Sequence, residues 1–457
     1  MPLAFSFYFG DGIHLIYVAL STGLAVLSLV VRSFTIIPTE LSVKEGFLTV
    51  ALSWVSLAFF GALPFVFSRT IPGITDAYFE AMSGFTTTGA TILADIEIVP
   101  KSLLLWRNMT QWLGGMGVIA IAVAVFPFLG VGGAQLFRAE VPGPTKDKIS
   151  PRISRTAKIL WWVYLIFTTA QVGCLMLGGL NFFEALCLAF GTMATGGYVP
   201  LNASIAAYPS PYIQYIIIFF MLVAGTNFNL HYWALRGRPG YYFRNPEFRF
   251  FYGLVLIATI VVVAVRCTRG SPFSEEMVRG SLFQTVSIVT TTGFVTENYE
   301  LWPFAAQFVL LMLMFVGGCG SSTAGSIKNV RIYVLFKYLG SELKKLFHPR
   351  GIFPVKMGGK ILPENIVSNI VAFIALYMLL FVAGVLAMTF LGLDFDTSIG
   401  AVAATLGNVG PGFGSVGPVE HYAHLPSTGK WILSFLMMAG RLEIYTVLVL
   451  FAPRFWK

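Results

Sequence analysis

Thr87-Thr88-Gly89 sits in the run Ser83-Gly84-Phe85-Thr86-Thr87-Thr88-Gly89-Ala90-Thr91, a hydroxyl- and glycine-rich stretch in a chain that is 56% hydrophobic. The run recurs. Thr290-Thr291-Thr292-Gly293-Phe294 repeats it almost residue for residue, and Met193-Ala194-Thr195-Gly196-Gly197 and Gly407-Asn408-Val409-Gly410-Pro411 are looser copies. Aligned on Gly89, Gly196, Gly293 and Gly410, the copies lie 107, 97 and 117 residues apart. A dehydrated cation needs several carbonyl or hydroxyl oxygens. A backbone that aims successive carbonyls at one axis must enter positive φ, which glycine adopts cheaply. The candidate ligands are therefore Thr87, Thr88 and Gly89; Ala194, Thr195 and Gly196; Thr291, Thr292 and Gly293; and Asn408, Val409 and Gly410. No carboxylate stands in any of these trios, which disfavours a calcium or magnesium pore and suits potassium.

The elements that must position these loops are helices in a membrane. Only 11% of the 457 residues are charged, against about 25% in soluble domains. Apolar spans read at 12–33, 47–67, 105–130, 157–178, 212–235, 248–267, 303–337 with an interruption, 363–391 and 430–452. Roughly 20 apolar residues cross a bilayer as helix. The segments 76–88, 183–195, 280–292 and 397–409 are too short for that, and each ends in one of the glycine loops. They read as half-helices that dip in and return. Irregular backbone at membrane depth must be buried in protein or line a watery cavity. Four such loops satisfy this most simply by converging on one pore.

Charge sets the orientation. Of the 30 Lys and Arg, 22 fall in the loops 32–46, 130–158, 235–250 and 328–360 and at the C-terminus. The positive-inside rule places these in the cytoplasm, so all four loops enter from outside. This segregation also accounts for the net charge of +9 without nucleic acid as a partner. The outer face holds 13 of the 21 acidic residues. Two explanations stand level: an acidic mouth that concentrates cations, or the easier translocation of carboxylates than of basic groups. Cys174, Cys187, Cys267 and Cys319 show no paired spacing, and five scattered histidines offer no ligand motif. Residues 1–12 lack the basic start of a cleavable signal.

The span from Pro303 breaks at Gly317-Gly318-Cys319-Gly320-Ser321-Ser322-Thr323-Ala324-Gly325-Ser326. Such a run is a poor helix interior, at about 1 kcal/mol per glycine relative to alanine, and cannot face lipid as coil. It lies on the cytoplasmic side of the loops and reads as a gate across the pore. Gly114-Gly115-Met116-Gly117, Ala224-Gly225-Thr226-Asn227 and Ala439-Gly440-Arg441 carry small residues at similar depth, and for the first of these close helix packing is the favoured explanation. Arg441 is placed mid-span. An intramembrane charge has a job or a partner: carbonyls of the break, cations in the cavity below the loops, or Glu443 as an ion-pair partner.

With these residues in view, the chain resembles the Trk/Ktr superfamily of potassium-uptake proteins, in its TrkH/TrkG branch. Beyond the glycine loops, the resemblance rests on Gln111-Trp112-Leu113-Gly114-Gly115-Met116-Gly117, Phe137-Arg138-Ala139-Glu140-Val141-Pro142-Gly143-Pro144, Gly317–Ser326 and Gly440-Arg441-Leu442-Glu443. It implies an all-α polytopic membrane protein of four pseudo-symmetric M1–pore-helix–M2 repeats around a central ion pore, with one N-terminal peripheral helix. The corresponding division is 1–40, 41–145, 146–240, 241–350 with the gating loop, and 351–457. The resemblance further implies a homodimer surrounded by membrane lipid in the bacterial inner membrane, and a cytosolic TrkA-like nucleotide-binding regulatory ring. Potassium would bind the loop trios, Gly317–Ser326 would gate, and Arg441 would lie below the filter. The branch usually carries two helices ahead of its first repeat, where this chain presents the single span 12–33. Plant-type sodium relatives carry Ser in the first filter, where this chain has Gly89.

Two variants of this reading are sodium- or proton-coupled potassium symport and a less selective potassium and sodium pathway. Alternating access calls for inverted repeats, whereas these are parallel. An intramembrane enzyme would need a nucleophile–base pair or metal ligands, and the sequence has no HExxH motif or paired intramembrane aspartates.

Overall fold

The computed structural model describes residues 1–35, 43–124 and 153–456. The 137–144 motif and most of the basic loop 130–158 lie outside the described residues. The chain is almost wholly helical. In order, the helices are α1 Pro2–Phe9, α2 His14–Phe34, α3 Val43–Phe67, α4 Ile74–Phe85, α5 Lys101–Ala124, α6 Ile153–Leu177, α7 Phe182–Met193, α8 Pro211–Gly225, α9 Phe228–Leu235, α10 Gly240–Arg244, α11 Pro246–Thr268, α12 Glu275–Val289, α13 Phe304–Val316, α14 Asn329–Phe347, α15 Glu364–Phe390, α16 Phe395–Leu406, α17 Ser427–Arg441 and α18 Ile444–Leu448. A two-residue-per-strand hairpin, Lys356–Met357 with Lys360–Ile361, links α14 to α15.

Five helices are long and apolar enough to span a membrane, and two bent pairs bring the count to seven among the described residues. The protein is a multi-pass membrane protein. α2 has no buried residue, as befits a peripheral helix bathed in lipid. α1, ahead of it, is a short helix that the sequence reading did not anticipate.

The four short segments are helices: α4, α7, α12 and α16. Each is preceded by a long helix (α3, α6, α11, α15) and followed by the glycine loop and a further helix (α5, α8, α13, α17). Their local logic is consistent. Asn181, Ser274 and Asp394 cap α7, α12 and α16 through their side chains, satisfying backbone N–H groups that otherwise lack partners. Each first turn carries an acid: Asp76, Glu184, Glu275 with Glu276, or Asp396. That complements the positive end of the helix dipole. From Ala77 to Phe85 and from Ala185 to Met193 every residue is buried. A helix buried on every side lies in a core, and the one acid among these residues, Glu80, is paired there.

That core is divided. Residues of α3–α5 and of α15–α18 pack into one cluster. Residues of α6–α8 and α11–α13 form a second, and two smaller clusters join α6 to α9 and α14 to α15. Two spans expected to run straight are broken. α8 and α9 meet at 104°, and α17 and the helical segment from Ile444 meet at 119°. The breaks fall at Thr226-Asn227 and Leu442-Glu443, where Asn227 caps α9 and Glu443 takes positive φ.

Candidate functional site: the glycine loops and the break beneath them

The four short helices end in one hydrogen-bonded turn, repeated. The N–H groups of Thr87, Thr195, Thr291 and Asn408 donate three residues back, to Gly84, Thr192, Ile288 and Thr405. The next residues, Thr88, Gly196, Thr292 and Val409, donate five back, to Ser83, Gly191, Ser287 and Ala404. The first residue of each set has φ of 52, 53, 56 and 54°, and the glycines two positions on, Gly89, Gly197, Gly293 and Gly410, have φ of 85, 81, 74 and 101°. The second loop is therefore read one residue too early when aligned on Gly196. Its left-handed glycine is Gly197, and Ala194 matches Thr86, Thr290 and Gly407 at the end of the helix. The cause is local: two consecutive glycines offer the turn two registers, and the hydrogen bonds select the later.

Three of the first-position residues are threonines. A β-branched residue at positive φ is a genuine outlier, and strain of this kind concentrates at functional sites.

The loops form a closed ring. A Cβ on Gly89 would lie 2.1 Å from the carbonyl oxygen of Gly196. One on Gly197 would lie 2.1 Å from that of Thr292, one on Gly293 1.9 Å from that of Val409, and one on Gly410 2.6 Å from that of Thr88. The contacts run from loop to loop and end where they began. All four glycines line one cavity of about 140 Å³.

Polar side chains brace the ring from behind. Gln111 Nε2 donates to the Gly196 carbonyl (2.6 Å) while its Oε1 accepts from Tyr198 N–H (3.0 Å). Tyr422 and Tyr299 hydroxyls donate to the carbonyls of Gly410 and Gly412, both at 2.8 Å. Asn408 Nδ2 donates to Thr88 Oγ1 (3.0 Å), joining the fourth loop to the first. Behind loops one and two, Glu80 and Arg107 form a fully buried ion pair at 2.7 Å. Arg107 also lies 3.4 Å over the Tyr198 ring. Glu80 accepts from Thr91 Oγ1 and Ile92 N–H.

Against this bracing, one set of oxygens stands out. Among the described residues no protein donor reaches the carbonyls of Thr87, Thr195, Thr291 or Asn408, and all four residues are fully buried; at the next station the carbonyls of Thr88, Thr292 and Val409 are equally unpaired, while that of Gly196 is held by Gln111. Unpaired buried carbonyls are costly, and here they recur at one station of each loop. Each also sits at the negative end of a helix, which favours a cation. The four helices thus bring their carbonyl ends, not their carboxylates, to the centre.

The outer carboxylates are mostly engaged elsewhere. Asp76 pairs with Lys430 at 2.6 Å, Glu297 with Arg266 at 2.7 Å, and Glu275 with Arg279. Of the acidic residues, Glu420 alone lines the described cavity. Close by, burial pushes the Glu300 carboxyl above its ordinary range. A hydrogen bond from Gly414 N–H opposes the rise, and Glu420 and Asp396 add to it. The outer acid excess is thus chiefly helix capping and ion pairing, with a small cluster beside the fourth loop.

Under the ring, α13 stops at Val316 and helix resumes only at Asn329. The intervening residues touch three of the four repeats. Cys319 N–H donates to the Gly225 carbonyl (2.8 Å), and Thr323 Oγ1 to the Met193 carbonyl (3.0 Å). Gly325 N–H donates to Thr291 Oγ1 (2.7 Å), within the third glycine loop. A Cβ on Gly325 would lie 2.5 Å from the Gly407 carbonyl. Ser326 ties back to Met314, Ser322 Oγ to Cys319, and Gly317 and Ser321 take positive φ. Gly318 accepts from Asn329 N–H, and Ala324 accepts from Lys328 Nζ. Arg441 Nη1 donates to the Thr323 carbonyl at 2.5 Å. Glu443 is not its partner: that carboxylate pairs with Arg331. The remaining member, Gly320, donates its N–H to the Glu247 carboxylate at 2.6 Å.

The expected residues are thus brought together in two layers. Sequence reasoning missed Gly197, the braces Tyr198, Tyr299 and Tyr422, the Glu80–Arg107 pair, and Glu247. The small residues of the following helices are packing seats. A Cβ on Gly114 would lie 1.9 Å from the Phe85 carbonyl, one on Gly440 2.0 Å from that of Leu406, and one on Gly225 2.8 Å from Thr290 Cγ2.

The chain is similar to known proteins. The family described as TrkH, cation transport protein, matches residues 21–457. The Trk system potassium uptake protein TrkH of Escherichia coli (strain K12) is 44% identical over 423 residues, covering 92% of this chain and 87% of the relative. The protein of the same description from Halomonas elongata is 40% identical, covering 100% of this chain and 95% of the relative. The crystal structure of the potassium transporter TrkH from Vibrio parahaemolyticus superposes with a TM-score of 0.92 at 37% identity, covering 100% and 95% of the two chains.

Proposed function

We propose, on the premise that this chain belongs to the TrkH family of cation transport proteins, that it carries potassium inward across the bacterial inner membrane through a gated pore. The observation that carries this reading is the set of unpaired buried carbonyls at Thr87, Thr195, Thr291 and Asn408, one per loop of a closed ring. Oxygens already stripped of other partners replace hydration water at little reorganisation cost. The filter comprises Thr87, Thr88, Gly89, Thr195, Gly196, Gly197, Thr291, Thr292, Gly293, Asn408, Val409 and Gly410, with Ala194 supporting it from the helix end.

Gly317–Ser326 acts as the gate. It crosses the path below the filter and is held by Arg441, whose positive charge also opposes a cation resting there. Opening requires the break to release Met193, Gly225, Glu247, Thr291 and Arg441 together. The division into repeats at 41–145, 146–240, 241–350 and 351–457, a homodimer, and control by a cytosolic TrkA-like nucleotide-binding ring complete the proposal.

The test is uptake of potassium and sodium in cells lacking other potassium systems, with Gly293→Ser. Its new Cβ meets the Val409 carbonyl at 1.9 Å, and left-handed φ alone costs about 1–2 kcal/mol. The preference for potassium over sodium should fall by about tenfold; unchanged selectivity would overturn the assignment.

A further inference from the structure

Glu247 has no role in the ring, yet it is 1% exposed. It stands in the first turn of α11, where Pro246 begins the helix and Asn245 caps it. Its carboxylate accepts from Gly320 N–H, 73 residues along the chain, at 2.6 Å. Its own backbone carbonyl accepts from Asn329 Nδ2 at 3.3 Å. One turn of α11 therefore grips the break at its middle and the helix that follows it at its first residue. A buried carboxylate persists only with strong partners, and a hydrogen bond to a charged acceptor is about twice as strong as a neutral one.

The other anchors of the break differ in kind. Gly225, Met193 and Thr291 offer neutral acceptors, and Arg441 and Lys328 are donors to its carbonyls. Lys328 lies within electrostatic reach of Arg441, Arg331, Glu443 and Glu247. Glu443 is engaged by Arg331, so Glu247 is the carboxylate that fastens the break itself.

We propose that Glu247 is a positioning residue for transport: an anionic latch that holds Gly320, and with it the break, in the closed arrangement. This rests on the reading of Gly317–Ser326 as the gate. Because α11 follows directly on α10 and the basic segment 236–244, a displacement of that segment would reach the break through one side chain.

Cys319, adjacent to Gly320 and 0% exposed, provides a direct reporter. The protein in liposomes is reacted with N-ethylmaleimide, Cys319 modification is followed by peptide mass spectrometry, and rubidium flux is measured on the same preparation. Glu247→Ala should raise both the labelling rate and the basal flux, on the order of tenfold, the size expected for losing a hydrogen bond to a charged group. Glu247→Gln, which keeps the shape and a neutral acceptor, should raise both by less. It decides the question if the alanine variant does not purify as a single species. Labelling at the wild-type rate in a well-folded variant overturns the latch, even if deleting residues 320–323 raises flux and so upholds the gate. Faster labelling with unchanged flux upholds the latch and removes the gate.

Discussion

The ring of glycine loops and the layer directly beneath it are built from the same four repeats, yet they obey different rules. In the ring the repeats agree to the hydrogen bond. Each has the same two backward bonds, the same pair of positive-φ residues two apart, and the same contact with its neighbour. One layer down, that agreement is lost, and only the second and fourth repeats share a device, a sharp bend. α5 runs on without a described break, α8 turns through 104° into α9, α13 gives way to twelve non-helical residues, and α17 turns through 119°. The difference follows from geometry. Four equivalent turns close into a ring only if each meets its neighbour in the same way. The single segment beneath the ring comes from one repeat, and the second and fourth repeats bend beside it.

Three variants test that division of labour, by whether they alter which ion passes or how much. The largest effect is expected at Glu80→Ala, which leaves Arg107 buried behind loops one and two without its partner. Breaking a buried pair in this way costs about 3–5 kcal/mol. Thermal unfolding in detergent should fall by several degrees, with potassium selectivity impaired; an unshifted midpoint would mean that the ring stands without its backing. Next is Arg441→Ala in the lower layer. Basal potassium flux should rise by about tenfold, from loss of one charged hydrogen bond, with the potassium-to-sodium ratio unchanged. A changed ratio in tracer competition would merge the two layers into one functional unit. Tyr422→Phe should do least. It removes one brace from the Gly410 carbonyl, about 1 kcal/mol. A modest sodium leak without altered basal flux would keep that brace within the ring, whereas raised flux would extend its influence downward.

The ring was largely legible in the sequence because its chemistry is local. Short apolar segments ending in threonine and glycine fix helix, turn and depth within fifteen residues of chain. The ambiguity at Gly196-Gly197 marks the limit: either glycine can adopt positive φ, and only the hydrogen bonds of the folded turn, with Gly197 seated against Thr292, decide. The break at Gly317–Ser326 was legible for the same local reason. The bends were not, since Thr226-Asn227 and Leu442-Glu443 are too brief to interrupt an apolar pattern. Nor was the fate of the outer carboxylates, because Glu80 finds Arg107 at 27 residues and Asp76 finds Lys430 at 354. Glu247 was invisible for a further reason. An acid near the start of a helix is ordinary in sequence, and only the fold places Gly320 against it.

The contact of Gly410 with Thr88, and the bond from Asn408 to Thr88 across 320 residues, also bear on how the molecule is made. The first loop is synthesised long before the residues that complete its surroundings, and its core cluster is shared with α15–α18. α6–α13 hold most of their own core and can consolidate earlier. Domains and subdomains generally form in order of synthesis, and distant pairings come late. The middle of this chain is thus positioned to fold as a scaffold while its first quarter waits for its last.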